Sequence, residues 1–141
     1  AYYHHNENYA DAILFLGDFL ETNDQDRLTA KAQFLYGESF RLIEDYIEAA
    51  QQYVNIYEKF NKSEFRPISL LRLGEMMIKI DYKDKGCEVI NHFQYEFNYA
   101  EDAIYRESEA LLEKYDCPKV IITEGQIKLA KIIEDTRELI K

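Results

Sequence analysis

The chain has 141 residues, 47% of them hydrophobic and 14% aromatic, and 27 acidic against 17 basic side chains leave a net charge of −10. That length suits one domain with its own core, and the Leu, Ile, Tyr and Phe content argues against disorder. The acidic balance argues against nucleic acid and against anionic membrane surfaces, because both need clustered Lys and Arg.

No apolar run is long enough for a transmembrane helix. Residue 1 is Ala rather than Met and falls in a Tyr-rich patterned segment, which reads as an excised domain or mature fragment whose localisation is not legible from its termini. Cys87 and Cys117 are too few for a disulfide framework. Two prolines and five glycines favour helices over a many-turned β domain.

In chain order, the sequence repeats at an offset of 37 residues. Ala12, Ala49 and Gly86 form a column of small residues; Tyr3, Phe40 and Met77 form another, as do Leu16, Tyr53 and Ile90, and Phe19, Ile56 and Phe93. Gly37 and Gly74 match inside Tyr36-Gly37-Glu38 and Leu73-Gly74-Glu75. A period between about 20 and 50 residues is the signature of a solenoid.

The first unit is partial. Tyr3 falls near the end of its first helix, a turn follows near Glu7, and a second helix runs from about Asn8 to Thr22. In the second unit Phe34 to Ile43 keep helical spacing, the chain reverses at Asp45 and Tyr46, and Ala49, Tyr53, Ile56 and Phe60 continue as a second helix. Asn61-Lys62-Ser63 closes the unit. In the third, Pro67 suits the first turn of a helix and residues 81–84 reverse the chain. A glycine in the first helix and a small residue in the second let the pair approach closely, and units this small must stack to bury their apolar faces.

From Tyr99 to Tyr115 the pattern is a capping helix, with Ala103, Tyr105, Ala110, Leu111 and Leu112 inward. Pro118 breaks the chain. Thr123-Glu124-Gly125-Gln126 has capping-box spacing, and Ile127, Leu129, Ile132, Ile133, Thr136 and Ile140 form an amphipathic helix expected to pack on that cap. The boundaries are a partial repeat 1–28, repeats 29–65 and 66–98, a cap 99–117 and an extra helix 118–141.

The chemistry-bearing residues are sparse. Adjacent His4 and His5 diverge by about 100° on a helix, so with Glu7 they read as solvated end residues. Asp24-x-Asp26 lacks the glycine and final glutamate of a calcium loop. His92 is expected on a helix surface, and Cys87 as a small buried hydrophobe. A Cys87–Cys117 disulfide stays open for an oxidising compartment, although turn counting from Asn98 leaves Cys117 about six residues too far along. Phosphate loops, nucleophile elbows, zinc spacings and paired carboxylates are lacking, so no catalysis, cofactor or metal is expected. Residues 1–28 carry net −5 and residues 99–117 net −4, a solvated surface or a patch that steers a basic partner.

The pattern small-x-x-x-Leu-Gly-x-x-aromatic, with Ala and an aromatic four later, resembles the tetratricopeptide repeat. The units are three residues longer than that family's usual 34, an excess assigned to loops around Asn23 to Arg27 and Asn61 to Arg66. Within the class, Ala32-Gln33-Phe34-Leu35-Tyr36-Gly37-Glu38, Asp45-Tyr46-Ile47-Glu48-Ala49-Ala50, Lys62-Ser63, Pro67 and Leu70-Leu71-Arg72-Leu73-Gly74 resemble the C-terminal domain of the CpoB/YbgF family, the Tol-Pal-associated cell division coordinators. Tyr82-Lys83-Asp84-Lys85-Gly86-Cys87 stands where that family reads Asp-Lys-x-x-Ala-Cys. Gly86 for alanine reads as a mild steric change, and residues 118–141 have no assigned counterpart.

The resemblance implies an all-α, tetratricopeptide-type helix-hairpin superhelix with a C-terminal capping helix and one extra helix. It implies a non-catalytic, periplasmic interaction domain whose partners are TolA and a bifunctional peptidoglycan synthase, with oligomerisation through an upstream segment. Two other readings stay open: a scaffold such as an outer-membrane assembly lipoprotein, and the interaction module of a larger enzyme. In the family the first helix of each unit lines a concave groove. Carried over by position, the groove would contain Lys31, Phe34, Glu38, Arg41 and Leu42 from the second unit, and Ile68, Leu71, Glu75, Ile78 and Lys79 from the third. Tyr105, Ser108 and Leu112 would extend it, and His4 and His5 begin it.

Overall fold

A computed structural model describes residues 2–22, 27–99, 102–120, 122 and 125–141, with side chains described at 8–21, 28–99, 102–120, 122 and 129–141. The described residues form seven helices and no strand: α1 (Tyr2–Thr22), α2 (Arg27–Leu42), α3 (Tyr46–Lys59), α4 (Arg66–Lys79), α5 (Lys83–Glu96), α6 (Ala103–Lys114) and α7 (Gly125–Leu139). Each of the first five packs on the next in sequence, giving an all-α, solenoid-like array.

The 37-residue period is carried into the backbone. The bounds of α5 are those of α3 shifted by one period, and both hairpins turn at equivalent residues, Glu44 (φ 65°) and Asp81 (φ 72°). At each stop the N–H three residues past the helix returns to a carbonyl five residues back, Asp45 to Phe40 at 2.9 Å and Tyr82 to Met77 at 2.9 Å. This is the Schellman arrangement, with an acid in the left-handed position that glycine usually fills. The first reversal thus centres on Glu44, one residue before the expected Asp45, and the second on Asp81, within the expected 81–84. Asp116 (φ 53°) ends α6 in the same way, with the Cys117 N–H on the Leu112 carbonyl at 2.8 Å.

Close approach is concentrated at the repeat glycines. A Cβ at Gly37 would lie 3.0 Å from Tyr53 Cε1, and one at Gly74 2.6 Å from Ile90 Cγ1. At Gly86 it would meet the Gly74 carbonyl oxygen at 2.6 Å and the Ile78 nitrogen at 2.9 Å. The expected mildness of alanine there is therefore corrected, because α4 and α5 touch backbone to backbone. Ala49, Tyr53, Ile56, Leu70, Leu73, Met76, Met77, Ile90 and Phe93 form the centre of the core.

Several other expectations change. The α1 helix runs unbroken through residues 7 and 8, where no glycine or proline interrupts it, so the first unit has no turn at Glu7. On α6 the inward residues are Ile104, Tyr105, Ser108, Leu111 and Leu112, while Ala103 and Ala110 are exposed. The α7 helix buries Leu129, Ile132, Ile133, Thr136 and Ile140 as expected, but principally against α5, with a smaller contact to α3, rather than on α6. Ion pairs Lys85–Asp135 (3.3 Å) and Arg137–Glu58 fix it there.

Cys87 and Cys117 are disulfide-bonded, with Cα atoms 5.5 Å apart. Turn counting misplaced Cys117 because α6 stops at Lys114 and the Asp116 turn brings the chain back to α5. Asn91 holds the returning segment, donating to the Cys87 and Pro118 carbonyls at 3.0 and 2.9 Å. This segment and α7 form a cleft of about 380 Å³ lined by Lys85, His92, Val120, Ile122 and Ile132, and His92 is buried rather than at the helix surface. Residues 23–26, where a loop is expected, Thr123, Glu124 and the side chains of His4, His5, Glu7, Gln126 and Ile127 lie outside the described residues.

Candidate functional site

The α2, α4 and α6 helices share one face of the array, and side chains across that face are joined by a chain of ion pairs. On α2, Arg41 grips Glu38 through two hydrogen bonds, Nη2 to Oε2 at 2.6 Å and Nε to Oε1 at 3.2 Å. Tyr53 reaches over from α3 and donates its hydroxyl to Glu38 Oε1 at 2.6 Å. On α4, Arg72 donates to Glu75 Oε1 at 3.1 Å and, across to α6, to Glu107 Oε1 at 2.6 Å. The Arg72 Nε lies 3.8 Å from Glu38 Oε1, within ion-pair range. Arg72 therefore bridges three carboxylates on three helices.

The local sequence explains this. Glu38 and Glu75 each follow a repeat glycine, and each lies three residues from an arginine on its own helix, the spacing that brings helical side chains together. The pairs are partly buried, so water screens them less than it would surface pairs. Burial raises the Glu38 pKa, but hydrogen bonds from Arg41 and Tyr53 and the charges of Arg41 and Arg72 outweigh it and hold the carboxyl below its ordinary range. For Tyr53, burial and then the Glu38 carboxylate push the phenol far above its usual value.

The predicted groove residues divide into two groups. Glu38, Arg41, Leu42, Glu75 and Lys79 lie on the surface or in its ion-pair chain, with Leu42 42% exposed and Lys79 Nζ 5.2 Å above the Tyr46 ring. Lys31 is also exposed. The second group points inward. Leu71 is 0% exposed, and Phe34 stacks on Phe65 at 5.0 Å and lies 6.1 Å from Tyr53. Ile68, Ile78 and Tyr105 pack against the core, Leu112 is buried, and the buried Ser108 hydroxyl bonds the Tyr105 carbonyl and accepts from Gln94. Phe34 and Leu71 share one repeat column, and that column completes the core instead of lining a groove.

The residue that sequence reasoning missed is Arg72. It stands one position beyond Leu71, in the column of Leu35, which is 44% exposed. The Arg72-to-Glu75 spacing was the available signal. Glu107 was missed too, because nothing in the sequence joins it to Arg72, 35 residues away.

A second polar cluster closes the opposite edge. The Arg66 guanidinium sits 4.1 Å above the Tyr57 ring and donates to Glu96 at 2.7 Å, and Tyr57 donates to the same carboxylate. These residues border a cleft of about 560 Å³ shared with Tyr95, Leu129 and Ile133. Among the described residues no cluster of His, Cys, Asp or Glu is arranged to hold a metal ion, and no helix is long and apolar enough to cross a membrane. Comparison with known proteins returns no match among protein families, curated proteins or solved structures.

Proposed function

We propose that the chain is a non-catalytic protein–protein interaction domain whose partner binds along the α2–α4–α6 face. The carrying observation is the continuous row Glu38–Arg72–Glu107, flanked by Arg41, Glu75, exposed Leu42 and exposed Lys79. Three helices present paired charges in fixed positions beside apolar side chains. That surface suits an extended or helical peptide, whose charged groups would exchange with the existing pairs while its apolar residues cover Leu42. Ion pairs that hold the empty surface in shape also reduce the ordering cost of binding.

Following the resemblance, the domain belongs to the periplasmic apparatus that couples the Tol-Pal system to peptidoglycan synthesis in cell division, with TolA and a peptidoglycan synthase as partners. The Cys87–Cys117 disulfide supports an oxidising compartment for this reading. The test is a titration against purified TolA, comparing the native chain with a Leu42→Asp, Lys79→Glu double variant. Both positions are exposed, so the melting temperature should stay within about 3 °C of native, while affinity should fall at least about tenfold. Arg41 is left intact, because reversing its charge would set two carboxylates side by side. Unchanged affinity for TolA overturns the assignment.

A further inference from the structure

The cleft between α7 and the disulfide-bound segment is built from the middle of the fold, on the side of α5 that α7 covers. Its floor is α5, which contributes Lys85, Glu88 and His92, spaced three and then four residues apart and so on one helix face. One wall is the segment beyond Cys117. The disulfide ties it to α5, and Asn91 clamps it from both sides, donating to the Pro118 carbonyl at 2.9 Å and accepting from the Val120 N–H at 3.4 Å. The other wall is α7, which runs antiparallel to α5: Asp135 pairs with Lys85 near the start of α5, and Leu129 shares a cleft with Tyr95 near its end. Both walls are thus pinned, so the cleft is preformed.

Its lining is apolar with one uncommitted charge. Val120 is 51% exposed within the wall, and it continues onto Ile122 and the buried Ile132. Lys85 is already held, by Asp135 at 3.3 Å and Glu88 at 3.8 Å. Lys131, on the α7 wall, is exposed and forms no ion pair among the described residues. An apolar surface beside a single spare cation is the complement of an apolar molecule with a single negative end. Size narrows the class further. At about 30 Å³ per water in the liquid, 380 Å³ is room for about a dozen waters, or a ligand of about a dozen non-hydrogen atoms. The net charge of −10 opposes an anion only at long range, because salt screens it beyond about 8 Å and Lys85 and Lys131 locally balance Glu88 and Asp135.

We infer that this cleft binds a medium-chain aliphatic carboxylate, its carboxylate on Lys131 Nζ and its chain along Val120, Ile122 and Ile132. The site is separate from the α2–α4–α6 face and stands or falls independently of the partner proposed there.

The probe is decanoate, titrated into the native chain by calorimetry, with amide NMR to locate it. Saturable one-to-one binding is expected, with shifts centred on His92, Val120 and Ile132. Across hexanoate, octanoate and decanoate, affinity should rise about fourfold per methylene, and it should level off by tetradecanoate as the cleft fills. Val120→Asp should weaken decanoate at least tenfold, and Lys131→Glu about fivefold. Decylamine should bind the native chain more weakly than decanoate does, and Lys131→Glu should reverse that order. The Leu42→Asp, Lys79→Glu double variant should bind decanoate as the native chain does. Four results overturn the inference: no saturable binding at millimolar decanoate; affinity that keeps climbing with chain length, as in non-specific adsorption; shifts centred on Tyr95 and Leu129 instead; or binding that Val120→Asp leaves unchanged. Since Val120 and Lys131 are exposed, both variants should melt as the native chain does. Should Val120→Asp melt lower, the Lys131→Glu reversal decides, and an unreversed order counts against the inference.

Discussion

Replacing Gly86 by alanine tests the contact at which α4 and α5 come closest. In a helix interior this exchange ordinarily stabilises by about 0.5–1 kcal/mol, because glycine loses more backbone entropy on folding. Here the new Cβ would meet the Gly74 carbonyl oxygen at 2.6 Å, Ile78 Cγ1 at 2.6 Å and the Ile78 nitrogen at 2.9 Å. Two of those atoms are backbone and cannot rotate aside, so the helices must separate and the packing of Ile90 and Val89 on α4 loosens. Overpacking costs about 1–3 kcal/mol, which leaves a net loss of about 1–2 kcal/mol after the propensity gain. For a chain of this length, unfolding entropy is about 0.3 kcal/mol/K, so the melting temperature should fall by about 3–7 °C. Gly17→Ala is the control, since its Cβ would find Tyr36 Oη at 3.5 Å, an ordinary contact. It should melt about 2–3 °C above the native chain. Thermal melts followed by circular dichroism decide the matter by sign. A Gly86→Ala variant that melts at or above the native temperature refutes the close approach.

Reducing the disulfide, or replacing Cys117 by serine, releases a constraint spanning 30 residues. The chain-entropy estimate is about 3.5 kcal/mol, read as a melting temperature about 12 °C lower with reductant than without. Arg72→Met leaves Glu38, Glu75 and Glu107 without their shared cation and should cost about 2 kcal/mol by urea denaturation, with recovery on adding Glu107→Gln. The depressed pKa of Glu38 contributes stability that is full above the unfolded glutamate pKa of about 4.3 and is lost as pH falls through the lower folded value; Glu38→Gln should flatten that acid limb of the urea midpoint. Burial and neighbouring carboxylates raise the pKa values of Tyr53 and Tyr57, so stability should also decline once pH rises past about 10, and Tyr53→Phe should lessen the decline.

What the sequence revealed was periodic. Five columns at one spacing located the hairpins of the second and third units, and paired small residues predicted the tight contacts at Gly37 and Gly74. What it concealed depended on chain direction at the ends of elements. The Cys87–Cys117 bridge follows from the turn at Asp116, whose left-handed conformation no composition rule requires. The docking of α7 on α5 and α3 reflects where that bridge delivers the chain. At the candidate site, the repeat placed Glu38 and Glu75 on the surface, but a one-position difference on α4 decided which neighbour faced outward. Leu71 turned into the core and Arg72 took the surface, because a helix advances about 100° per residue. On α1, a turn carried over from the later units did not form, since no glycine or proline breaks the helix there.

The central claim is that partners read the α2–α4–α6 face. It is tested most directly by a two-dimensional amide NMR titration of the isotope-labelled chain with unlabelled TolA. The account predicts saturable shifts concentrated at Glu38, Leu42, Arg72, Lys79 and Glu107, with α7 nearly silent. Shifts confined to α7 or to the Arg66–Glu96 edge, or no shifts at millimolar TolA, would contradict it.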